Sequence, residues 1–304
     1  MNKKLTGILC AVLSAIIYGF TPILARIAYD GGANGITVTF LRGILSIPIL
    51  FIILKIKRIP LQIGKDWKGI LLAGVFGMSL TTLLLYISYS YISVGMATTL
   101  HFIYPILVSV ACTVFFKDKM NLWKISALIL CSIGIFMFID RISSFGVTGT
   151  VLALLSGVTY ALYIICIDKG RLKHIHYFKL TLYLNVLMVG VSGLFGLCTG
   201  DLHFSLTPKA WVLCALVSLF TSFGALPLLQ QGIKLTGAST AAILSTLEPI
   251  TSVILGILIL QETVSPLKLL GCILIIISIL LIAISEGKRD IPKQPPKSAE
   301  NTDL

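Results

Sequence analysis

The chain has 304 residues, of which 57% are hydrophobic and only 12% are charged, and its mean hydropathy is +1.00. A water-soluble protein could not bury so much apolar surface, so this composition excludes an ordinary soluble enzyme and predicts a membrane protein. The formal net charge of +12 does not indicate a nucleic-acid partner, because the basic residues lie mainly in short loops, where they set membrane topology and face anionic lipid.

The apolar residues form runs about as long as the roughly 20 residues that a helix needs to cross a hydrocarbon core. These runs are too long, and too uniformly apolar, to be the strands of a membrane barrel. We therefore predict an all-α membrane protein of ten transmembrane helices without any sheet. The predicted helices span residues 5–29, 34–54, 68–91, 95–116, 122–139, 147–167, 177–199, 210–233, 238–260 and 266–284.

Aromatic hydroxyls lie near the middle of the first and sixth predicted helices. The first contains Tyr18 with Thr21, and the sixth contains Tyr160 with Tyr163. Aromatic rings with a polar tip suit an organic, partly apolar solute. We predict that these side chains line a substrate cavity.

A single arginine lies inside the second predicted helix. At the rise of an α-helix, Arg42 is about 12 Å from the nearer end of its helix, so it needs a partner or must extend towards the surface. It either anchors the fold or supplies a counter-charge to a substrate carboxylate or to Glu248. Tyr86 in the third helix aligns with Gln230 in the eighth, and an amide at that depth is expected to face a cavity or another helix.

Titratable and hydroxylated residues occupy equivalent positions in the fourth and ninth predicted helices. His101 aligns with Ser245 and Tyr104 with Glu248, which is the only carboxylate well inside a predicted helix. A carboxylate there should face a wet cavity, a basic partner or a proton. The alternatives are a brace beside Pro249, whose missing amide would free the carbonyl of Ser245, and for His101 a neutral imidazole bound to a neighbouring helix.

The stretch Ala97–Lys119 recurs as Ala241–Thr263, with a proline in the same place and an acidic residue, Asp118 or Glu262, near each end. Internal repeats in an apolar chain are typical of membrane transporters. We predict a first repeat at 5–140, a second at 146–285 and a disordered cytoplasmic tail at 286–304. Five helices per repeat make the two halves inverted, which is the physical basis of alternating access.

Basic residues favour one orientation of this bundle. With the N-terminus in the cytoplasm, most lysines and arginines fall in inner loops, as the positive-inside rule requires. Both termini are then predicted to be cytoplasmic. The outer side receives only Arg26, Arg141, Lys209 and Lys268.

Together these features resemble the EamA family of the drug/metabolite transporter superfamily. The resemblance implies a secondary carrier for small organic solutes, often an exporter of amino acids or other metabolites, with a cavity between its halves. The chain departs from the family by having Tyr18 where many members have Trp, and Lys117-Asp118 in place of Gly-Glu. The short motifs that carry the resemblance are Tyr18-Gly19-Phe20-Thr21-Pro22, Leu41-Arg42, Pro105 with Asp118, and Leu247-Glu248-Pro249 with Glu262.

The predicted function is a secondary active transporter, in the export direction, of small organic metabolites such as amino acids or drug-like solutes across the plasma membrane. A proton or counter-substrate could drive it. The alternatives are a channel-like facilitator and a membrane protein with an enzymatic or scaffolding role. No catalytic motif is present, and the seven cysteines form no C-x-x-C pair, so we expect no enzyme, cofactor or metal site. The oligomeric state stays open.

Overall fold

The computed structural model describes residues 3–92, 94–118, 120–137, 146–260 and 265–288, and all regular secondary structure within them is helical. The predicted all-α class is thus confirmed for the described residues. In chain order the helices are α1 (Lys3–Asp30), α2 (Gly35–Ile56), α3 (Trp67–Ser88), α4 (Val94–Phe116), α5 (Leu122–Phe136), α6 (Val147–Lys169), α7 (Tyr177–Thr199), α8 (Pro208–Thr236), α9 (238–260) and α10 (Pro266–Lys288).

Within the described residues, nine helices are long and apolar enough to cross a membrane, and the chain is a multi-pass integral membrane protein. The remaining helix, α5, has 15 residues and ends at Phe136. Its predicted continuation to 139 reaches residues outside the described part, so a tenth span stays a prediction. At the other boundary, α10 continues to Lys288, beyond its predicted end at 284 and into the first residues of the predicted tail, because the first helix-breaking proline comes only at Pro292.

Four of the helices are interrupted near the middle of their length. Short turns divide α1 at Phe20, α2 at Leu45, α4 at 102–103 and α9 at 245–246. In each of the four a proline follows within the first three residues of the next segment, as expected for a residue that has no amide hydrogen and crowds the preceding turn. The interruptions of α4 and α9 fall at equivalent positions of the sequence repeat.

Pro249 does not leave the carbonyl of Ser245 free. That carbonyl accepts the backbone N–H of Glu248 at an N–O distance of 3.0 Å. The bond spans three residues, so a tighter turn closes the gap that the proline opens. The expectation of an unpaired carbonyl at this point was wrong.

Two π-helical segments widen α3 and α8. They run over Leu72–Ser79 in α3 and Ser218–Ala225 in α8, which are nearly equivalent positions in the two halves. π-Helix is rare, and its segments are frequent at functional sites. The sequence patterns did not predict either segment.

The packing of the helices follows the repeat. α1 packs against α8 and α6 packs against α3, while α2 contacts α7, α4 contacts α9 and α5 contacts α10. Exchanging each helix with its counterpart five places along the chain reproduces the same set of contacts. The two halves are therefore interleaved around a pseudo-two-fold relation, as expected for inverted repeats.

The loops divide into two groups at opposite ends of the bundle. At one end, which we call the basic end, Lys169 pairs with Asp118, Lys179 donates to the carbonyl of Gln62, and Lys234 donates to the carbonyl of Ile175. These contacts join the segment after α4 to α6, the loop 57–66 to α7 and the loop 170–176 to the end of α8. At the opposite end, the Asn34 amide donates to the Asp201 carbonyl and the His203 amide donates to Thr37 Oγ1.

Both ends of the described chain lie at the basic end. Gly7 of α1 packs against Leu235 and Thr236 at the end of α8. Near the end of α10, the Ser285 hydroxyl accepts the Asn121 amide at 2.8 Å. Which end faces the cytoplasm stays a prediction, and Arg141, Glu262 and the predicted tail from 289 onward lie outside the described residues.

Candidate functional site

A narrow polar cavity of about 50 Å³ lies where α1, α2, α3, α4, α6 and α9 meet. Helices from both halves contribute to it, so it sits between the two repeats. Seven of the predicted site residues line it: Tyr18, Thr21, Arg42, Tyr86, His101, Tyr160 and Glu248. Sequence analysis did not single out its remaining lining residues, Pro22, Met78, Thr81, Thr82, Leu85 and Tyr89.

Arg42 is held in place from α8. Its side chain is only 4% exposed, its Nε donates to Ser222 Oγ at 3.3 Å, and its backbone carbonyl accepts the Ser218 hydroxyl at 2.8 Å. The two serines are four residues apart and so share one face of their helix. α8 thereby fixes both the backbone and the guanidinium of this arginine.

Where Arg42 faces the cavity, its guanidinium group has hydrogen-bond donors without a well-aligned acceptor. The guanidinium carbon lies 5.9 Å from the centre of the Tyr18 ring, and the hydroxyls of Tyr18 and Tyr86 lie beside it. Among the described residues, however, Arg42 Nη2, both tyrosine hydroxyls and Thr21 Oγ1 have no partner with full hydrogen-bond geometry. Arginine keeps its charge in proteins, so a buried unpaired N–H₂ group demands an acceptor. These donors face a space suited to an anionic or carbonyl oxygen.

Glu248 lies across the same cavity from α9. Its side chain is partly buried, and the backbone carbonyl of the same residue packs close to Gly19, where an added Cβ would lie 3.0 Å from that oxygen. Within the described part of the chain, no ion pair joins Glu248 to Arg42, although the two charges are close enough to influence each other. A positive and a negative side chain thus line one cavity without pairing with each other.

His101 is bound to a neighbouring helix. Its Nδ1 lies 2.9 Å from the hydroxyl of Ser156 in α6, and that hydroxyl donates to the Ala153 carbonyl at 2.6 Å. Because Ser156 has only one hydrogen to donate, it accepts from His101, so Nδ1 carries a proton. In the neutral imidazole, Nε2 is then an acceptor. The side chain therefore both braces α4 against α6 and lines the cavity.

A cluster of aromatic rings backs His101 on the side of the basic end. Tyr160 packs edge-on against Tyr104 with ring centres 4.7 Å apart, and it stacks with Tyr163 at 5.7 Å. Tyr104 and Tyr163 are at most 1% exposed and lie behind the cavity wall. Neither lines the cavity directly.

Two further predicted site residues point away from the cavity. Gln230 donates from Nε2 to Thr181 Oγ1 of α7 at 3.1 Å, so it joins α8 to α7. The hydroxyl of Ser245 donates to the Ala241 carbonyl of its own helix at 2.9 Å. Thr81 is a lining residue that we missed, and its hydroxyl lies 2.7 Å from that of Thr159. Threonine bonds to its own helix backbone in many membrane helices, so its presence gives little signal.

Comparisons with known proteins agree with this architecture. The profile of the EamA-like transporter family matches residues 5–139 and 147–284. The chain is 25% identical over 288 residues to the uncharacterized transporter YcbK of Bacillus subtilis (strain 168), covering 90% of this chain and 91% of that protein. It is 28% identical over 321 residues to the uncharacterized transporter sll1319 of Synechocystis sp. (strain ATCC 27184 / PCC 6803 / Kazusa), covering 92% and 94%. A crystal structure of a protein with 13% identity has the same fold, with a TM-score of 0.77 over 92% of this chain and 98% of the other.

Proposed function

The chain belongs to the EamA-like transporter family, and on that basis we propose that it exports small organic metabolites across the plasma membrane as a secondary active carrier. In this proposal the two halves rock around the central cavity and open it alternately to the two sides. The basic end faces the cytoplasm, as the distribution of lysines and arginines requires. All ten helices, α5 included, cross the membrane.

The observation that carries this proposal is the pairing of Arg42 and Glu248 across one enclosed space between the repeats. An acidic group of a solute would take the unsatisfied guanidinium N–H₂, and a donor on the solute would take the carboxylate. The surrounding tyrosines supply apolar faces and hydroxyls for the organic part. Amino acids and other small solutes with an acidic group meet these demands.

The closed layer between the central cavity and the basic end favours a carrier over a channel. On α9, Thr246 is fully buried and Ser245 is 4% exposed, so packed residues lie between Glu248 and the basic end. A channel would need a continuous wet path that ions or solutes cross without a conformational change. The alternating arrangement of a carrier needs one closed side at a time.

Glu248 is our candidate for coupling. It is a carboxylate inside the bundle that a proton or a positively charged group of a counter-substrate could neutralise. His101 is the second titratable group of the cavity and lies on the pseudo-equivalent helix.

The test is metabolite profiling of the medium from cells that express the intact protein, the Glu248→Ala variant or the Gly190→Ala variant at matched membrane levels. Gly190 is exposed and a Cβ there meets no atom within 4 Å, so that variant is the matched control. We expect one solute class to accumulate outside with the intact protein and the control, and not with Glu248→Ala. Absence of any enriched solute with the intact protein, in both export and counterflow assays, would overturn the proposed function.

A further inference from the structure

A second and larger cavity, of about 390 Å³, lies at the basic end between the ends of α4, α6 and α8 and the beginnings of α5 and α9. It is separate from the central cavity. On α9, Thr240 lines the basic-end cavity and Glu248 lines the central one, while Ala241, Ala242 and Thr246 between them are fully buried. Both cavities therefore lie along one helix, on the two sides of a closed layer.

The walls of the basic-end cavity are predominantly positive. Four lysines, Lys124, Lys169, Lys173 and Lys234, face only two aspartates. Both aspartates are engaged, because Lys169 lies 2.5 Å from Asp118 and Lys173 lies 2.9 Å from Asp168. Asp168 also accepts the backbone N–H of Ala238 at 3.2 Å. Asp168 uses both of its carboxylate oxygens on these partners, and the two aspartates together balance only two of the four lysines.

Lys234 is the excess charge. It donates to the carbonyl of Ile175, and among the described residues no carboxylate pairs with it. An ammonium has three donors, so two are left for another acceptor. The charge of Lys234 also affects His176, which does not line the cavity. The pKa of His176 lies below its ordinary value owing to partial burial and to the positive charges of Lys234 and Lys57.

Ser239 supplies a second unsatisfied donor in the same wall. The residue is 9% exposed, and its hydroxyl has no hydrogen-bond partner among the described residues. Its polar neighbour is the thiol of Cys112, and sulfur is a weak acceptor. A buried hydroxyl without a partner is costly, and here it borders a cavity of about 390 Å³.

We propose that the basic-end cavity is an anion-binding site, which takes a carboxylate or phosphate group with Lys234, Lys173 and Ser239 as its donors. Resting on the proposed function, we identify the bound molecule as the cytoplasmic solute that awaits transfer to the central cavity. A phospholipid headgroup carries the same chemistry. The interior position of the site, against the buried residues Ala238 and Asp168, favours the soluble molecule.

The test measures the unfolding temperature of the purified full chain in neutral detergent. Inorganic phosphate or succinate is added at constant ionic strength, with sodium chloride as the reference. A ligand that binds only the folded state raises this temperature in a saturable way. We expect such a rise for the intact protein, and an apparent affinity at least about tenfold weaker for Lys234→Gln and for the milder Ser239→Ala.

Lys179→Gln is the matched control, because Lys179 lies at the same end, donates to the Gln62 carbonyl and does not line the cavity. It should respond like the intact protein. Equal stabilisation of Lys234→Gln and Ser239→Ala, or no stabilisation of the intact protein, would overturn the proposal. Saturation by added phosphatidylglycerol without any response to phosphate or succinate would assign the cavity to lipid and overturn it for a soluble solute.

This outcome is independent of the carrier function. The binding measurement uses neither a vesicle nor a gradient, whereas the function is tested by release of solute into the medium. Export without anion binding would contradict only the proposed anion site at the basic end. Anion binding without export or counterflow would support that site and contradict the proposed carrier function.

Discussion

Arg42 is held in a fixed position, yet one of its hydrogen-bond donors has no acceptor in the described part of the chain. Ser222 holds its Nε and Ser218 holds its carbonyl, yet Nη2 has no partner among the described residues. A merely structural arginine would have its donors filled by the protein. The arrangement is that of a group held ready for an acceptor which arrives from outside.

We therefore expect Arg42→Gln to lower the initial rate of export by about 10- to 100-fold, because a hydrogen bond to a charged group contributes about 1.5–3 kcal/mol. Arg42→Lys should recover little, since a lysine cannot reproduce the planar fork. The rate is measured at matched membrane levels, with Lys57→Gln, an exposed basic residue, as control. Unchanged rates in both Arg42 variants would show that the arginine is only an anchor.

Glu248 and His101 should differ in their effect on coupling. Glutamine at 248 cannot gain or lose a proton, so Glu248→Gln should abolish the response of export to an imposed pH gradient while solute exchange persists. Since His101 donates to Ser156, His101→Gln can keep that bond and should lose less. Export and exchange are compared in the same vesicles. If both variants keep the rates and gradients of the intact protein, proton coupling through these residues is wrong.

Polarity within an apolar run was enough to find Tyr18, Arg42 and Glu248, because few side chains of this kind are tolerated there without a purpose. It could not show which way Gln230 points. Helical spacing gives the face of a residue, but the neighbour that covers the face is decided by tertiary packing, here Thr181 of α7. The pair Thr81 and Thr82 was missed because threonine is common in membrane helices.

Close packing between α4 and α6 forms one wall of the central cavity. At Gly157 an added Cβ would lie 2.7 Å from the His101 carbonyl oxygen, which is backbone and cannot move aside cheaply. The hydrogen bond from His101 to Ser156 crosses the same interface. This glycine therefore permits the approach that places His101 at the cavity.

Gly157→Ala should lower the free energy of unfolding by about 1–3 kcal/mol, as overpacking in a well-filled interior does. The unfolding temperature in detergent checks it. Gly190→Ala in α7 makes the same chemical change where no atom lies within 4 Å, and it should be neutral or slightly stabilising. Equal effects of the two substitutions would mean that the α4–α6 contact does not limit stability.

The ion pair between Lys169 and Asp118 at the basic end ties α6 to the segment that follows α4. Asp118→Asn removes the negative charge of this pair. A partly exposed pair contributes about 1 kcal/mol, so the basic end should open about five times more often. Ala241→Cys, placed in the closed layer in a background without other cysteines, should then react faster with a charged thiol reagent. No change in its reaction rate would mean that this pair does not hold the layer shut.

Among the elements, a proline begins or soon follows the second segment of each interrupted helix, and a missing amide has a local effect, so these interruptions have a signal in the sequence. The π-helical segment of α8 is also followed by a proline, Pro227, but that of α3 is not. Their cause is not a single residue, since an extra residue in a turn is retained only when the surrounding helices accommodate it. Sequence periodicity averages over that detail.

At the scale of the whole molecule, the repeat predicted two inverted halves but not how they interleave. The contacts of α4 with α9 and of α5 with α10, which are matched in sequence, came from the structure. The grouping of basic loops at one end did follow from the positive-inside rule. The depth and width of each cavity could not be predicted from the sequence, because they depend on the rotation of every helix about its axis.

Labelling of intact cells tests the orientation of the bundle. With native cysteines removed, Ser205→Cys at the opposite end should react with an impermeant thiol reagent in intact cells, because it is exposed and faces outward in our proposal. Lys57→Cys, exposed at the basic end, should react only after permeabilisation. The reverse pattern would invert the topology and place the anion-binding cavity outside.

The π-helical segments of α3 and α8 contain more residues per turn than a regular α-helix. Releasing one residue from such a segment into regular α-helix lengthens the helix by about 1.5 Å and turns everything beyond it by about 100°. In α3 that turn would carry Tyr86 out of the central cavity, and in α8 it would swing Lys234 away from the basic-end cavity. Each half of the molecule thus contains one helix in which a local change from π-helix to α-helix would rotate the residues that line a cavity.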